Sequence, residues 1–580
     1  MTDFYVCNET GDDSNIGLES QPLKTIHRAS TLANTGSTIY VLPGIYRERI
    51  IPQKSGIRNK PITYKSVEKH GAIIRGSIPW KYTETTHIGV KGPLDLSVFS
   101  DNSHKDGANP FQIPLCVTPF GREGAPESKI KPVKDSDPNM VYCLGQVFVD
   151  DLMYKQCPYK SEMEATDKSW YYDSSDNILH IHGATSEQNI EITNQRRLLA
   201  PHKRGLKNIV VDGFTFERCG NQYPNKFWAR PSNQQAGALG TRCGKFWTIQ
   251  NNVISWANGI GIDWGNEGRY KSDLESGFNG NASGSYGNKI LNNIICDNGA
   301  AGTAAFMANR FEFVGNKVER NNNMGFKGKQ RWESAGVKIH HPKNSIISNN
   351  MICNNHCHGI WSDQGAGINT FFQNNVITNN EGNGVEFEIG RETTGKVVNN
   401  IFDDNECGVR FSASGGALIA HNTFVKSRVA DIKTLIYKRD KDKWDSLNVE
   451  IYYNLFMNSP QFIQLSPPND TPNMLASRFL DYNTYVMEPG QKKFQMKFSW
   501  KHKINADFST WKSILGECAD TNNTDGCIGC DENSAFLSDP VPVYPVLIEK
   551  MGCVKDYKGE CWPTDKCIAG AFVTHIPYYS

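Results

Sequence analysis

One phrase recurs through the second half of this chain and narrows what it can fold into. The phrase is apolar–x–Asn–apolar, leading into a short alternating strand. It reads TIQNNVIS at Asn252, KILNNIIC at Asn293, EFVGNKVE at Asn316, IISNNMIC at Asn350, TFFQNNVIT at Asn375, KVVNNIF at Asn400, LIAHNTF at Asn422 and EIYYNLF at Asn454. Successive asparagines are 41, 23, 34, 25, 25, 22 and 32 residues apart. The short intervals are the length of one solenoid coil, and the longer ones are coils carrying excursions. Asparagine suits a fixed coil position because it tolerates the left-handed backbone and its amide can bond to its copy one coil away. The expected fold is all-β, a right-handed parallel β-helix.

The remaining chain fits the same plan. At 580 residues it is long for one ordinary domain, but a solenoid grows without a single central core. Residues 1–89 read as an N-terminal cap and first coils. PLKTIHRASTLAN (22–34) is expected to be a short amphipathic helix closing the open end, followed by alternating strands. Residues 90–200 break the period and read as an inserted β-rich subdomain. Residues 201–504 are the main β-helix, and 505–580 an irregular, Cys-rich C-terminal cap.

Composition removes several function classes. Lys plus Arg (62) balance Asp plus Glu (61), and no basic run appears, so neither nucleic acid nor an anionic membrane is an expected partner. No window approaches the length of a membrane span. Sixteen cysteines, six of them (Cys518, Cys527, Cys530, Cys553, Cys561, Cys567) near the C-terminus, favour a disulfide-stapled cap over a zinc site, because no second CxxC or His pair completes a metal pattern. MTDFYVCNET lacks the regions of a signal peptide. The chain is either intracellular or a mature form with an added start residue. The cysteines and four sequons (Asn8, Asn281, Asn469, Asn522) lean toward a secreted protein.

A second phrase, Gly–apolar–x–apolar–x, carries the candidate chemistry. It reads GIGID (259–263), GVKIH (336–340), GIWSD (359–363), GVEFE (384–388) and GVRFS (408–412). Strand alternation turns Val337, Ile339, Val385, Phe387, Val409 and Phe411 inward. Lys338, Trp361, Glu386 and Arg410 then point outward, as do Asp263, His340, Asp363, Glu388 and Ser412. Asp363 follows Asn350 by 13 residues, and Glu388 follows Asn375 by the same 13. The two acids therefore stack on consecutive coils, about 4.8 Å apart. Two carboxyls so close do not both ionise cheaply, so one pKa is expected to rise, which suits a nucleophile beside a general acid. The short gap matches retaining rather than inverting glycosidases. One outward acid is ordinarily a solvated face. The set His340, Trp361, Asp363, Glu386 and Glu388 argues against that, because like charges on adjacent strands destabilise a sheet and an exposed Trp is a platform for a sugar ring. His340 is expected to hydrogen-bond Asp363, while Lys338 and Arg410 balance charge. The excursion NNNMGFKGKQRWES (321–334) brings Trp332 and Glu333 toward the Asp363 end of the stack, and 264–287 forms a second wall.

At these residues the chain resembles the parallel β-helix glycoside hydrolases, most closely the β-xylosidases of glycoside hydrolase family 120. FYVCNETGDDSNIG, QPLKTIHRAS and TIYVLPGIYRERI are similar to the superfamily's opening coils. The more specific segment is ESAGVKIH…GIWSD…GVEFEIG. The resemblance implies Asp363 as nucleophile, Glu388 as acid/base and Glu333 as a further active-site carboxylate. Glu386 departs from the family, which tends to be apolar there.

The expected function is thus a retaining, β-xylosidase-like glycoside hydrolase on a xylan-type glycan, with no cofactor and no metal. Its partner is an oligo- or polysaccharide, and a homo-oligomer is compatible with the sequence. Two alternatives remain: a lyase or epimerase on a uronate polymer, and a non-catalytic glycan-binding protein of a wall or virion.

Overall fold

The computed structural model describes residues 3–99, 109–113, 142–221, 237–266, 285–325, 333–363, 365–390, 393–435, 449–466, 480–487, 490–497 and 503–515, with the strand pairs at 524–525, 541–542 and 566–567. Five of the six C-terminal cysteines, and hence the expected disulfide cap, lie outside these residues, as do the sequons at 281, 469 and 522. The chain divides into two compact units, Met1–Phe306 with Asn321–Ser334, and Met307–Arg320 with Ala335–Ser580.

In the second unit each coil contributes three short strands to three parallel sheets. One coil runs Ile346–Ser348, Met351–Cys353 and His358–Asp363, and the next runs Phe371–Gln373, Val376–Thr378 and Val385–Glu388. Each strand pairs in parallel with its counterpart one coil on. This is a parallel β-helix. The strands are short because polar turns interrupt every apolar run, and they are β-rich because Val, Ile and Phe fill the lumen. Phe402, Phe424, Phe456 and Tyr485 stack along that lumen with centroids 4.9–5.1 Å apart. At the C-terminal end, Lys503–Ala506 turns back antiparallel on Phe494–Lys497. The helix Phe508–Leu515 then lays Trp511 on Phe494, 5.1 Å between centroids.

The recurring Asn-Asn phrase divides two tasks that the sequence assigned to one residue. The first asparagine of the pair turns the corner: Asn251, Asn292, Asn349, Asn374 and Asn399 have φ between 54° and 59°. The second builds the ladder. Asn350 Nδ2 donates to Asn375 Oδ1 at 2.9 Å, Asn375 to Asn400 at 2.9 Å, Asn400 to Asn422 at 3.0 Å and Asn422 to Asn454 at 3.0 Å. A second ladder, Asn355–Asn380–Asn405, runs beside it with donor–acceptor distances of 2.8 and 2.9 Å. Asn375 is fully buried, and its amide also donates to Ile347 O at 3.0 Å. Truncating it strands several buried polar groups, each costing ~1–3 kcal/mol. Asn375→Ala is therefore expected to lower unfolding free energy by about 3 kcal/mol, measured by denaturant titration.

The first unit repeats the coil pattern. Phe4–Val6, Thr38–Val41, Ile62–Ser66 and Ile209–Asp212 pair successively in parallel. The expected helix forms over Ile26–Leu32, with its first amides held by Glu48 at 2.9 Å and Thr25 at the N-cap. The insertion expected at 90–200 falls on an eight-stranded, mostly antiparallel sheet whose strands run from Ser77 to Thr193. Its core packs Trp80, Phe111, Trp170 and Tyr172.

An ion network ties this sheet to the coils within the first unit. Glu191 meets Arg47 at 2.7 Å, Arg75 at 3.2 Å and Arg218 at 2.6 Å. Despite the opposing pull of burial, hydrogen bonds from Arg47 and Ser77 and the guanidinium charges hold the Glu191 carboxyl down to about 2, from an ordinary 4.5. The folded state thus binds this proton less tightly than the unfolded chain. Its stabilisation is complete above about pH 4.5 and is lost as pH falls toward 2. Thermal midpoints should drop across that window, and Glu191→Gln should flatten the drop while lowering the neutral-pH midpoint.

Among the described residues, nine cysteines, from Cys7 to Cys407, are all buried. No helix among them is long and apolar enough to cross a membrane.

Candidate active site

Five strands of one sheet in the second unit carry the candidate residues: Ala335–His340, His358–Asp363, Val385–Glu388, Cys407–Ser412 and Ala430–Leu435. Their register sets His340 opposite Asp363, and sets Asp363 opposite Glu388 as the equal 13-residue offsets of these two acids imply. Val337, Ile339, Val385, Phe387, Val409 and Phe411 are all fully buried in the lumen. Glu388 continues to Ser412 on the next strand. The two acids therefore sit one strand spacing apart, about 4.8 Å between backbones.

The chain after each acid is fixed closely. Gly365 N donates to Glu388 O at 2.8 Å, and Ser362 Oγ donates to Gly365 O at 2.6 Å. Gly365 has φ +78°, and a Cβ there would lie 2.7 Å from Gly390 Cα. Only glycine lets the turn behind Asp363 rest on the turn behind Glu388.

Asp363 lies among cationic and aromatic neighbours. Lys338 Nζ is 3.6 Å from its Oδ2, and His340 Nδ1 is 3.3 Å from the same oxygen. Lys338 Nζ also lies 3.3 Å from the centre of the Trp361 ring. Lys338 is thus more than general charge balance, since its fully buried ammonium is shared between the carboxylate and the indole face. Glu386, beside it, accepts from Asn383 Nδ2 at 2.7 Å and faces Arg410 Nε at 3.6 Å. Burial pushes the Glu386 carboxyl up, and Arg410, Ser412 and Asn383 pull it back.

Two expectations need correction. Trp361 is not an exposed sugar platform. It is 6% exposed, because the register sets Lys338 directly opposite it and drops the ammonium onto its face. His358 packs its edge, 5.3 Å between centroids. Nor is the outward face an open surface: Lys338, His340, Asp363 and Glu386 are all buried, while Glu388 and Arg410 are half-buried.

The structure gathers Lys338, His340, Trp361, Asp363, Glu386 and Glu388 on one face of the second unit. Asp263 and Glu333 belong to the first unit. There Asp263 is buried opposite Gly240 and Ala304, and its Oδ1 accepts from Gly265 N at 3.2 Å. Glu333 is fully buried with φ 70°. Trp332 lies outside the described residues. The supporting roles of Asn383, Ser412 and Ser362 escaped the sequence reading. Strand register was their one available signal, since Ser412 is the residue opposite Glu388.

Fold and register together define a right-handed parallel β-helix, and comparison with known proteins agrees. Residues 236–425 match the family model described as a right handed beta helix region, and residues 9–52 match one described as a protein of unknown function. Over 97 residues the chain is 30% identical to the uncharacterized protein YwoF of Bacillus subtilis (strain 168), a match covering 17% of this chain and 21% of that one. The solved complex of XylC with xylose is similar over 98% of both chains, with a TM-score of 0.69 and 18% identity. At that identity the likeness establishes the fold.

Proposed function

We propose that this protein is a retaining, β-xylosidase-like glycoside hydrolase acting on a xylan-type glycan. The observation that carries the reading is the in-register pair Asp363 and Glu388 on adjacent strands. A short gap leaves room for direct attack by one carboxylate rather than for an interposed water. The full-length likeness in fold to a protein solved with xylose supports the sugar class.

In this reading an Asp363 oxygen attacks the anomeric carbon while Glu388 gives its proton to the departing glycosidic oxygen. Glu388 then takes a proton from water, whose oxygen displaces Asp363 from the anomeric carbon. The surroundings support that division: Lys338 and His340 enclose Asp363 at 3.6 and 3.3 Å, whereas Glu388 is half-buried and the more open of the two. We place the activity outside the cell, with a glycan as the partner.

The test is a turnover screen on xylo-oligosaccharides and uronate polymers. Release of reducing sugar from the first supports the proposal. Unsaturated-uronate absorbance from the second would assign a lyase, and binding with no turnover a lectin-like protein.

A further inference from the structure

The column of side chains next to the carboxylate pair continues past it. In register it reads Trp361, Glu386, Arg410, Lys433, Gln464 and Gln495. Its character changes along the sheet, from acidic beside Asp363 and Glu388, to cationic, then to amides. Arg410 is spoken for in part, since its Nε faces Glu386 at 3.6 Å, yet its side chain stays 22% exposed. Lys433 is half-buried and meets no ion-pair or hydrogen-bond partner among the described residues. Its strand lies two strand spacings from that of Glu388, roughly 10 Å along the sheet. Beyond it Gln464 donates to Gln495, and Gln495 donates to Asn505 at 2.7 Å. That amide row offers a sugar chain hydrogen bonds without charge.

We propose that Lys433, with the exposed part of Arg410, forms an anion subsite on this face, and that the preferred substrate is a glycan bearing a uronate within one or two sugar units of the scissile bond. The inference rests on the hydrolase reading only for placing a sugar chain along this face. A guanidinium beside an ammonium suits a planar carboxylate, which accepts two hydrogen bonds side by side. The acids at Asp363 and Glu388 repel that substituent from the reacting centre and so fix its register on the cationic rungs.

The test is equilibrium binding by calorimetry on the full chain carrying Asp363→Asn together with Lys338→Met, which does not depend on turnover and buries no unpaired ammonium. Three oligosaccharides of equal length are compared: neutral, uronyl-substituted and sulfated. The uronyl ligand should bind about tenfold tighter than the neutral one at low salt, as charge-assisted hydrogen bonds of this kind allow. Adding salt should shrink the ratio. Lys433→Met should abolish it, and Lys433→Arg should keep most of it. Equal binding of neutral and uronyl ligands, an unchanged ratio in Lys433→Met, or a preference for the sulfated ligand over the uronyl one each overturns the assignment. If the wild type cleaves no glycoside while the ratio and its dependence on Lys433 persist, the hydrolase reading fails and the subsite stands.

Discussion

Asp363→Asn should remove turnover on every glycoside the protein cleaves, by on the order of 10⁴-fold or more in kcat, the scale seen when a nucleophile is lost. The amide keeps the shape of the side chain but is a far weaker nucleophile, so no glycosyl-enzyme ester forms and activated leaving groups bring no rescue. The substitution also takes the anion from beside Lys338, whose ammonium is fully buried. Breaking a buried pair from one side costs about 3–5 kcal/mol at its upper range. A loss of activity could then be mistaken for a loss of fold. Pairing Asp363→Asn with Lys338→Met separates the two, because the double variant no longer buries an uncompensated charge. It should regain most of the thermal midpoint and none of the activity. Wild-type turnover in either variant would remove Asp363 from the chemistry and leave the stack as a structural feature of the sheet.

How far the sequence reached depended on whether a property is periodic. The coil period, the inward apolar residues and the offset that pairs Asp363 with Glu388 all repeat along the chain, so spacing alone exposed them. The two-residue division of labour in Asn374-Asn375 was hidden, because both positions carry the same letter and only φ distinguishes the corner from the ladder. Coverage is not periodic at all. Alternation says that Trp361 and Glu386 point away from the lumen, but nothing local says that both are buried there. Trp361 also shows how a neighbour one coil away changes a residue's use. Lys338 is 23 positions upstream in sequence and directly opposite in space, so an apparent sugar platform becomes the seat of an ammonium. Asp263 shares the Gly–apolar–x–apolar–x phrase with the acids, yet it is committed to its own turn through Gly265.

Glu388→Gln should separate the two halves of the reaction instead of abolishing both. On a natural oligosaccharide the departing oxygen needs a proton, and losing a positioned general acid costs about 10²–10⁴-fold. An aryl glycoside with a strongly acidic phenol leaves without that help. On such a substrate Glu388→Gln should still form the glycosyl-enzyme, seen as a burst of phenol equal to the enzyme concentration, followed by a slow steady rate. The slow step is the attack of water that no carboxylate now activates. Azide needs no deprotonation, so adding it should restore the steady rate and yield a β-glycosyl azide, the retained configuration that two successive displacements require. Asp363→Asn should show neither burst nor rescue. Glu388 is suited to this role because it is half-buried while Asp363 is enclosed, so a small nucleophile has access from its side. An azide product of inverted configuration, or equal rescue of the two variants, would exchange or dissolve the assigned roles.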